Sequence, residues 1–175
     1  MMSKQCHKCY SNIDMIGRAI PNSKLKEFSG PNIATDSIVL RKHQSDHYHD
    51  ILLITRLREP FKGMYAYPGG FVDYNEDPAV ACLRELKEEC NLDGISQKLV
   101  TVAGNPARDP RKHIVSVVYE VQVAEDAKPK AGDDAATAKF YNLLDIIKMK
   151  GKFAFDHYEI LFNHVKSTYS QYKEI

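Results

Sequence analysis

Gly70 to Leu92, GFVDYNEDPAVACLRELKEECNL, is the stretch whose reading decides the fold. Asp77-Pro78 starts a helix: a short acidic acceptor for free N–H groups, then the residue whose missing N–H costs nothing at the first helical position. Ala79, Cys82, Leu83, Leu86 and Cys90 follow at helical spacing and predict one apolar, core-facing stripe. Glu85, Glu88 and Glu89 fall three and four residues apart on the other side. Like charges at such spacing destabilise a helix by about 0.2–0.5 kcal/mol per pair, so a cation is the natural reason for the cluster. Asn91 stands where the helix must end in a left-handed residue, a place that Gly fills best and Asn next.

Written as a pattern the stretch is G-x5-E-x7-R-E-U-x-E-E-x-N-U, with U an apolar residue, and it resembles the Nudix box. That box is the loop–helix–loop signature of hydrolases acting on a nucleoside diphosphate linked to another moiety. Eight of nine fixed positions match, and the departure is Asn91 in place of Gly. Asn tolerates the left-handed region better than other non-Gly residues, so the turn is expected to survive. The fold implied is an α/β/α sandwich around a mixed sheet.

The rest of the composition bounds the reading. A chain of 175 residues is one ordinary domain that buries about 70% of the surface its unfolded chain exposes. Lys plus Arg 24 against Asp plus Glu 23 gives a net charge of +1, which argues against a nucleic-acid-coating or membrane-binding surface and for a small-molecule partner. No run approaches the ~18 apolar residues of a transmembrane span, and the N-terminus lacks a signal-peptide stretch; a cytoplasmic chain is expected. Cys82 and Cys90 fall on the buried face of the helix, as free thiols of a reducing compartment do.

In chain order, residues 1–32 are expected to form an N-terminal arm and 33–175 the catalytic domain. Cys6-His7-Lys8-Cys9 is at most half of a zinc site. Ile33–Leu40, Asp50–Arg56, Lys98–Gly104, His113–Val123 and Ala138–Leu143 are β-branched or alternating runs that predict strands. His43, His47 and His49 sit in a polar hairpin loop and are expected to be solvated. Asn105–Lys112, with Arg108-Asp109-Pro110-Arg111, is expected to be a charged surface turn, and Ala124–Asp134 an exposed, mobile loop. Leu144–Met149 begins as a helical turn, and Phe155-Asp156-His157 opens a last helix.

The resemblance implies Mg2+ as cofactor, with Mn2+ a substitute. Glu85 and Glu89 take the places of the principal ligands, Glu88 that of a ligand or orienting group, and the Gly69 carbonyl completes the site. Glu85, Glu88 and Glu89 are thereby the catalytic candidates, while Gly70, Glu76, Arg84 and Asn91 hold the motif together. Glu76 and Arg84 resemble an internal ion pair one turn or more from the carboxylates. The general base stays open among Glu88, Glu89, Asp133 and Asp134. Arg56, Arg58, Arg108 and Arg111 are the candidate substrate-binding residues, because a guanidinium pairs bidentately with phosphate; Phe61, Tyr65 or Tyr67 could stack on a base.

Pro68–Asp73, Arg108–Arg111 and Phe153–His157 resemble the ADP-ribose pyrophosphatase branch of the family, whose reaction gives AMP and ribose 5-phosphate. The competing readings are another hydrolase of the family, acting on an oxidised nucleoside triphosphate, a dinucleotide or a sugar nucleotide, and a non-catalytic ADP-ribose sensor. The sensor would be favoured by degenerate box glutamates, and here all are present. A homodimer is compatible with this reading, though no residue pattern demands one.

Overall fold

The computed structural model describes residues 30–42, 49–132 and 135–174. Residues 1–29 of the expected arm, with Cys6 and Cys9, the histidines His43 and His47, and Asp133 and Asp134 lie outside the described residues. Among the described residues seven strands and three α-helices follow one another: β1 (Asn32–Lys42), β2 (His49–Arg56), β3 (Tyr65–Ala66), β4 (Gly69–Phe71), α1 (Pro78–Cys90), β5 (Ser96–Ala103), β6 (Ile114–Gln122), β7 (Ala135–Asn142), α2 (Leu143–Ile147) and α3 (His157–Thr168). The five expected strands are present within a few residues of their expected bounds. The sequence did not signal β3 and β4, which are two and three residues long, too short for alternation to register.

β1 is the pivot of a mixed sheet. It runs parallel to β6 from Asn32↔Ile114 to Val39↔Val121, while its other edge is shared by β4 (Asp36↔Gly69) and β2 (Leu40↔Ile51), both antiparallel. Strands paired on both edges and covered on both faces carry near-continuous apolar runs. The pleat sends alternate residues to opposite layers. Ile38, Ile51, Leu53 and Val118 pack with Leu143, Ile146, Leu161 and Val165 of α2 and α3. Val39, Leu52, Ile54 and Val121 pack with Cys82, Leu86 and Cys90 of α1. The architecture is therefore the expected α/β/α sandwich. No described helix is long and apolar enough to cross a membrane.

Two expectations about loops are corrected. Residues 124–126 and 128 are exposed as expected, but the end of the segment is docked: the Lys130 N–H donates to Cys90 O and the Gly132 N–H to Glu89 O, 2.9 and 3.0 Å, and Ala127 and Ala131 pack on the α1 layer. The physical reason is that the C-terminal carbonyls of a helix need donors from elsewhere, and this segment supplies two. His49 is not solvated either, for it lies half-buried with its ring 4.6 Å from that of Tyr169 and its N–H donating to the Tyr172 hydroxyl.

Candidate active site

Helix α1 begins and ends as its sequence dictates. The Asp77 carboxylate accepts the Ala79 N–H at 2.8 Å, Pro78 occupies the first turn, and Asn91 closes the helix at φ 55, ψ 34 with its N–H on Lys87 O. The buried stripe is Ala81, Cys82, Leu86, Glu89 and Cys90; Ala79 and Leu83, assigned to it from sequence, are half-buried. Burial pushes the Cys82 and Cys90 thiols up to about 11 and about 12, which leaves both protonated and unreactive near neutral pH.

The three glutamates divide between two environments. Glu89 is 7% exposed and accepts the Gly69 N–H at 2.9 Å, so it stands at the edge of the core rather than on the solvent side, as its helical phase had suggested. Glu85 and Glu88 accept hydrogen bonds from Arg84 at 2.8 and 3.1 Å. Arg84 is thus not a turn away from the carboxylates. Its fork also reaches both oxygens of Glu76, at 2.9 and 2.8 Å, and the Phe71 carbonyl at 3.1 Å. One guanidinium ties the loop before α1 to the acidic face of the helix, because its five donors can serve several acceptors at once. Arg84, helped by the Asp73 N–H, holds the Glu76 carboxyl down to about 2.

Among the described residues no three His, Cys, Asp or Glu side chains converge closely enough to enclose an ion by themselves. A cage is not what a small hard cation requires, since Mg2+ binds through one or two carboxylates and keeps the rest of its shell for water and substrate phosphate. Two observations fit such an ion. Burial raises the Glu85 carboxyl above the usual range in spite of Arg84, so its charged form gains from a further positive charge. Gly70 lets that carboxylate lie close against the loop backbone before α1, since a Cβ there would stand 2.6 Å from Glu85 Oε2.

From Glu89 and Gly69 an open cleft extends, with a volume of about 170 Å³. Arg56, Arg58, Arg108 and Arg111 all line it, together with the carboxylates Asp36, Glu89 and Asp109. The sequence singled out these arginines as isolated candidates, and the fold brings them to one wall. Two of them are tightly held. Arg108, its side chain 4% exposed, grips Asp156 through Nε and Nη2, the latter at 2.6 Å, and Arg111 grips Asp109 at 2.7 Å. The expected surface turn is present, with residues 105–107 and 110–112 exposed, but Arg108 and Asp109 turn inward from it, Asp109 being 5% exposed. Arg56 donates to Pro60 O at 2.8 Å. At the centre stands Phe155, at φ 53, with the guanidinium carbons of Arg56, Arg108 and Arg111 5.0, 5.9 and 6.0 Å from its ring centre.

The aromatic candidates separate. Tyr67 is 1% exposed, its ring stacked on His157 and its hydroxyl donating to His157 O, so it is a core residue and offers no face to a base. Tyr65 packs edge-on against Tyr141, and Phe61 edge-on against Phe155. Sequence reasoning missed Asp36, Asp109, Phe71 and Phe155 as lining residues and gave His157 no role at the site. Asp36 carried a signal: a carboxylate inside IATDSIVL, an otherwise apolar run, must be compensated when the strand is buried.

With this geometry in view, the comparisons with known proteins decide the family. The model of the NUDIX domain matches residues 31–163. The chain belongs to the Nudix family. It is 38% identical to the ADP-ribose pyrophosphatase of Methanocaldococcus jannaschii over 143 residues, 82% of this chain and 78% of that one. It is 31% identical to the ADPR responsive transcriptional repressor NtrR of Acinetobacter baylyi over 77% of this chain, and spans about half, 53%, of that protein's length. Among solved structures, the NUDIX domain of Shewanella oneidensis NrtR complexed with ADP ribose superposes with a TM-score of 0.70 at 25% identity, covering 84% of this chain and 89% of that one. The Nudix chain described here has the family's pyrophosphohydrolase motif with every box carboxylate in place.

Proposed function

We propose that this Nudix protein hydrolyses the diphosphate bond of ADP-ribose to AMP and ribose 5-phosphate in a Mg2+-dependent reaction. The observation that carries the reading is the meeting of the acidic helix and the arginine wall at one point: Glu89, bonded to the Gly69 N–H, lines the same cleft as Arg56, Arg58, Arg108 and Arg111. A cleft with four arginines against three carboxylates suits a doubly charged diphosphate better than a more highly charged chain of three phosphates. The similarity to the M. jannaschii ADP-ribose pyrophosphatase supports the same substrate.

In the reaction a water oxygen bonds to one phosphorus, the bridging P–O bond breaks, and the water's proton passes to a base. Glu85, Glu89 and the Gly69 carbonyl would hold Mg2+, with Glu88 as ligand or orienting group, and the ion would supply charge neutralisation and an acidified water. The chain's own groups do the rest. Arg84 fixes the directions of Glu85 and Glu88 and keeps them from repelling each other away from the site. Gly69 and Gly70 let backbone approach the carboxylates where a side chain could not stand. Arg108 and Arg111 are pre-organised by Asp156 and Asp109, so orienting them on phosphate oxygens sacrifices little side-chain freedom.

A second reading is favoured by one comparison: the similarity to the NtrR repressor suggests a domain that binds ADP-ribose without turnover. One panel separates the two. Purified protein with excess Mg2+ is offered ADP-ribose, diadenosine diphosphate, a sugar nucleotide and an oxidised nucleoside triphosphate, and products are identified by mass. Release of AMP and ribose 5-phosphate from ADP-ribose at the highest kcat/KM is expected. Tight binding of ADP-ribose with no product supports the sensor, and a triphosphate turned over tenfold more efficiently overturns the substrate assignment.

A further inference from the structure

Beneath the arginine wall lies a pair of polar groups that the diphosphate chemistry does not use. Asp36 sits in the middle of β1, opposite Gly69, and its Oδ2 accepts a hydrogen bond from the Ser116 hydroxyl. Its Oδ1 lies on the Gly69 side, 2.8 Å from where a Cβ on Gly69 would stand. His157, at the start of α3, accepts the Tyr67 N–H at Nδ1, 3.1 Å, with its ring stacked on Tyr67 at 4.5 Å. An imidazole whose Nδ1 accepts carries its proton on Nε2. Burial lowers the His157 pKa, with the nearby Asp36 acting in the opposite sense and Arg108 in the same, so the ring is a neutral donor of fixed tautomer.

His157 Nε2 and Asp36 Oδ1 stand 3.7 Å apart, beyond the roughly 2.7–3.2 Å of an N–H···O bond, and both residues line the cleft. The floor therefore holds one fixed donor and one fixed acceptor, close enough for a single small group to satisfy both. That group must donate and accept at once. A phosphate oxygen would accept from Nε2 but meet the charge of Asp36; an ammonium would reverse the fault. A hydroxyl does both. Resting on the reading of the substrate as ADP-ribose, we infer that Asp36 and His157 recognise one ribose hydroxyl of the nucleotide, and that the Asp36 carboxylate turns away substrates presenting a further phosphate there.

The test is a cycle between protein and ligand. Values of kcat/KM with Mg2+ are measured for ADP-ribose, for analogues each lacking one hydroxyl of either ribose, and for a nucleoside triphosphate, with wild type and Asp36→Asn. In the wild type one deoxy analogue is expected to lose at least tenfold, because a site built to bond a hydroxyl rejects the analogue lacking it. In Asp36→Asn, whose amide keeps an oxygen but no charge, the factor lost by that analogue shrinks relative to wild type, while the ratio of triphosphate to ADP-ribose turnover rises. A variant that lowers every substrate by the same factor assigns Asp36 a structural role and overturns the inference, leaving the ADP-ribose reading intact. A wild type that does not cleave ADP-ribose removes that reading, and this inference with it. Should Asp36→Asn fail to fold, the unaltered protein decides: the His157 Nε2–H proton resonance must move on binding ADP-ribose and stay in place with the discriminating deoxy analogue, and equal movement with all analogues overturns the proposal.

Discussion

Gly70→Ala puts one methyl group where the acidic face of α1 has no room for it. The new Cβ would stand 2.5 Å from Glu85 Cδ and 2.6 Å from Oε2, whereas non-bonded heavy atoms rest at about 3.5–4.0 Å. The Glu85 carboxylate must therefore retreat by about 1 Å. Gly70 lies in β4 with no left-handed φ, so the backbone accepts alanine and the strain falls on this contact. Retreat breaks the 2.8 Å bond from Arg84, a charge-assisted bond worth about 1.5–3 kcal/mol. Arg84 keeps Glu76 and Glu88, which favours the lower end. For a chain of this size about 1.5 kcal/mol corresponds to a fall in Tm of roughly 3–6 °C. A misplacement of about 1 Å at a catalytic group costs on the order of a hundredfold in rate. Thermal denaturation and kcat/KM for ADP-ribose check both numbers. Adding Glu85→Ala to Gly70→Ala should abolish the extra loss of stability, since nothing is left to collide with. A single variant with unchanged Tm and wild-type turnover refutes the placement of Glu85 beside Gly70.

Glu89→Gln retains an oxygen for the Gly69 N–H but no charge, and turnover is expected to fall a hundredfold or more, about 2.7–4 kcal/mol in the barrier, with the circular dichroism spectrum unchanged; near-normal turnover removes Glu89 from the metal site. Arg108→Ala is expected to destabilise the fold by about 3 kcal/mol, the low end for a broken buried pair, because Asp156 retains 30% side-chain exposure; urea unfolding measures it, and a change under about 0.5 kcal/mol, the scale of ordinary surface substitutions, argues against the pair. Hydrogen bonds from His164 and Tyr169 hold the Glu120 carboxyl below its usual value against an opposing push from burial. A depressed carboxylate stabilises above its unfolded pKa of about 4.3 and loses that contribution as pH falls through the folded value, so the stability gap between wild type and Glu120→Gln should be full at neutral pH and narrow steadily in acid; a gap that does not vary with pH sinks the assignment.

The helix, its caps and the layer order were legible because they rest on local signals: Asp77-Pro78, the spacing of Cys82, Leu86 and Cys90, and Asn91. Strands of eight or more residues such as β2 and β6 displayed themselves for the same reason, whereas β3 and β4 exist through pairing with β2 and β1, which no local pattern encodes. The candidate site divides in the same way. Carboxylates on one helix could be placed together from sequence, but the bond between Arg108 and Asp156 spans 48 positions, and the meeting of Asp36 with His157 joins the first strand of the sheet to its last α-helix. Both contacts depend on topology. Glu89 misled because helical phase places a residue on a face but does not say which neighbouring strand, here β4 with Gly69, will cover that face.

The docking of residues 130–132 on the end of α1 makes the site's order a cooperative property. Cys90 O and Glu89 O receive their donors from Lys130 and Gly132, residues that follow β5 and β6 in the chain. The last turn of the helix, the one that bears Glu89, thus takes its partners from a segment about forty residues further along the chain. Amide hydrogen exchange at Lys130 and Gly132 is accordingly a clock for that turn: an opening that releases these two amides loosens Glu89 while the core strands stay protected. Gly132 faces the Glu88 carbonyl so closely that a Cβ would collide with it. Any larger residue there would lift the segment and disturb the carboxylates of α1 through the backbone.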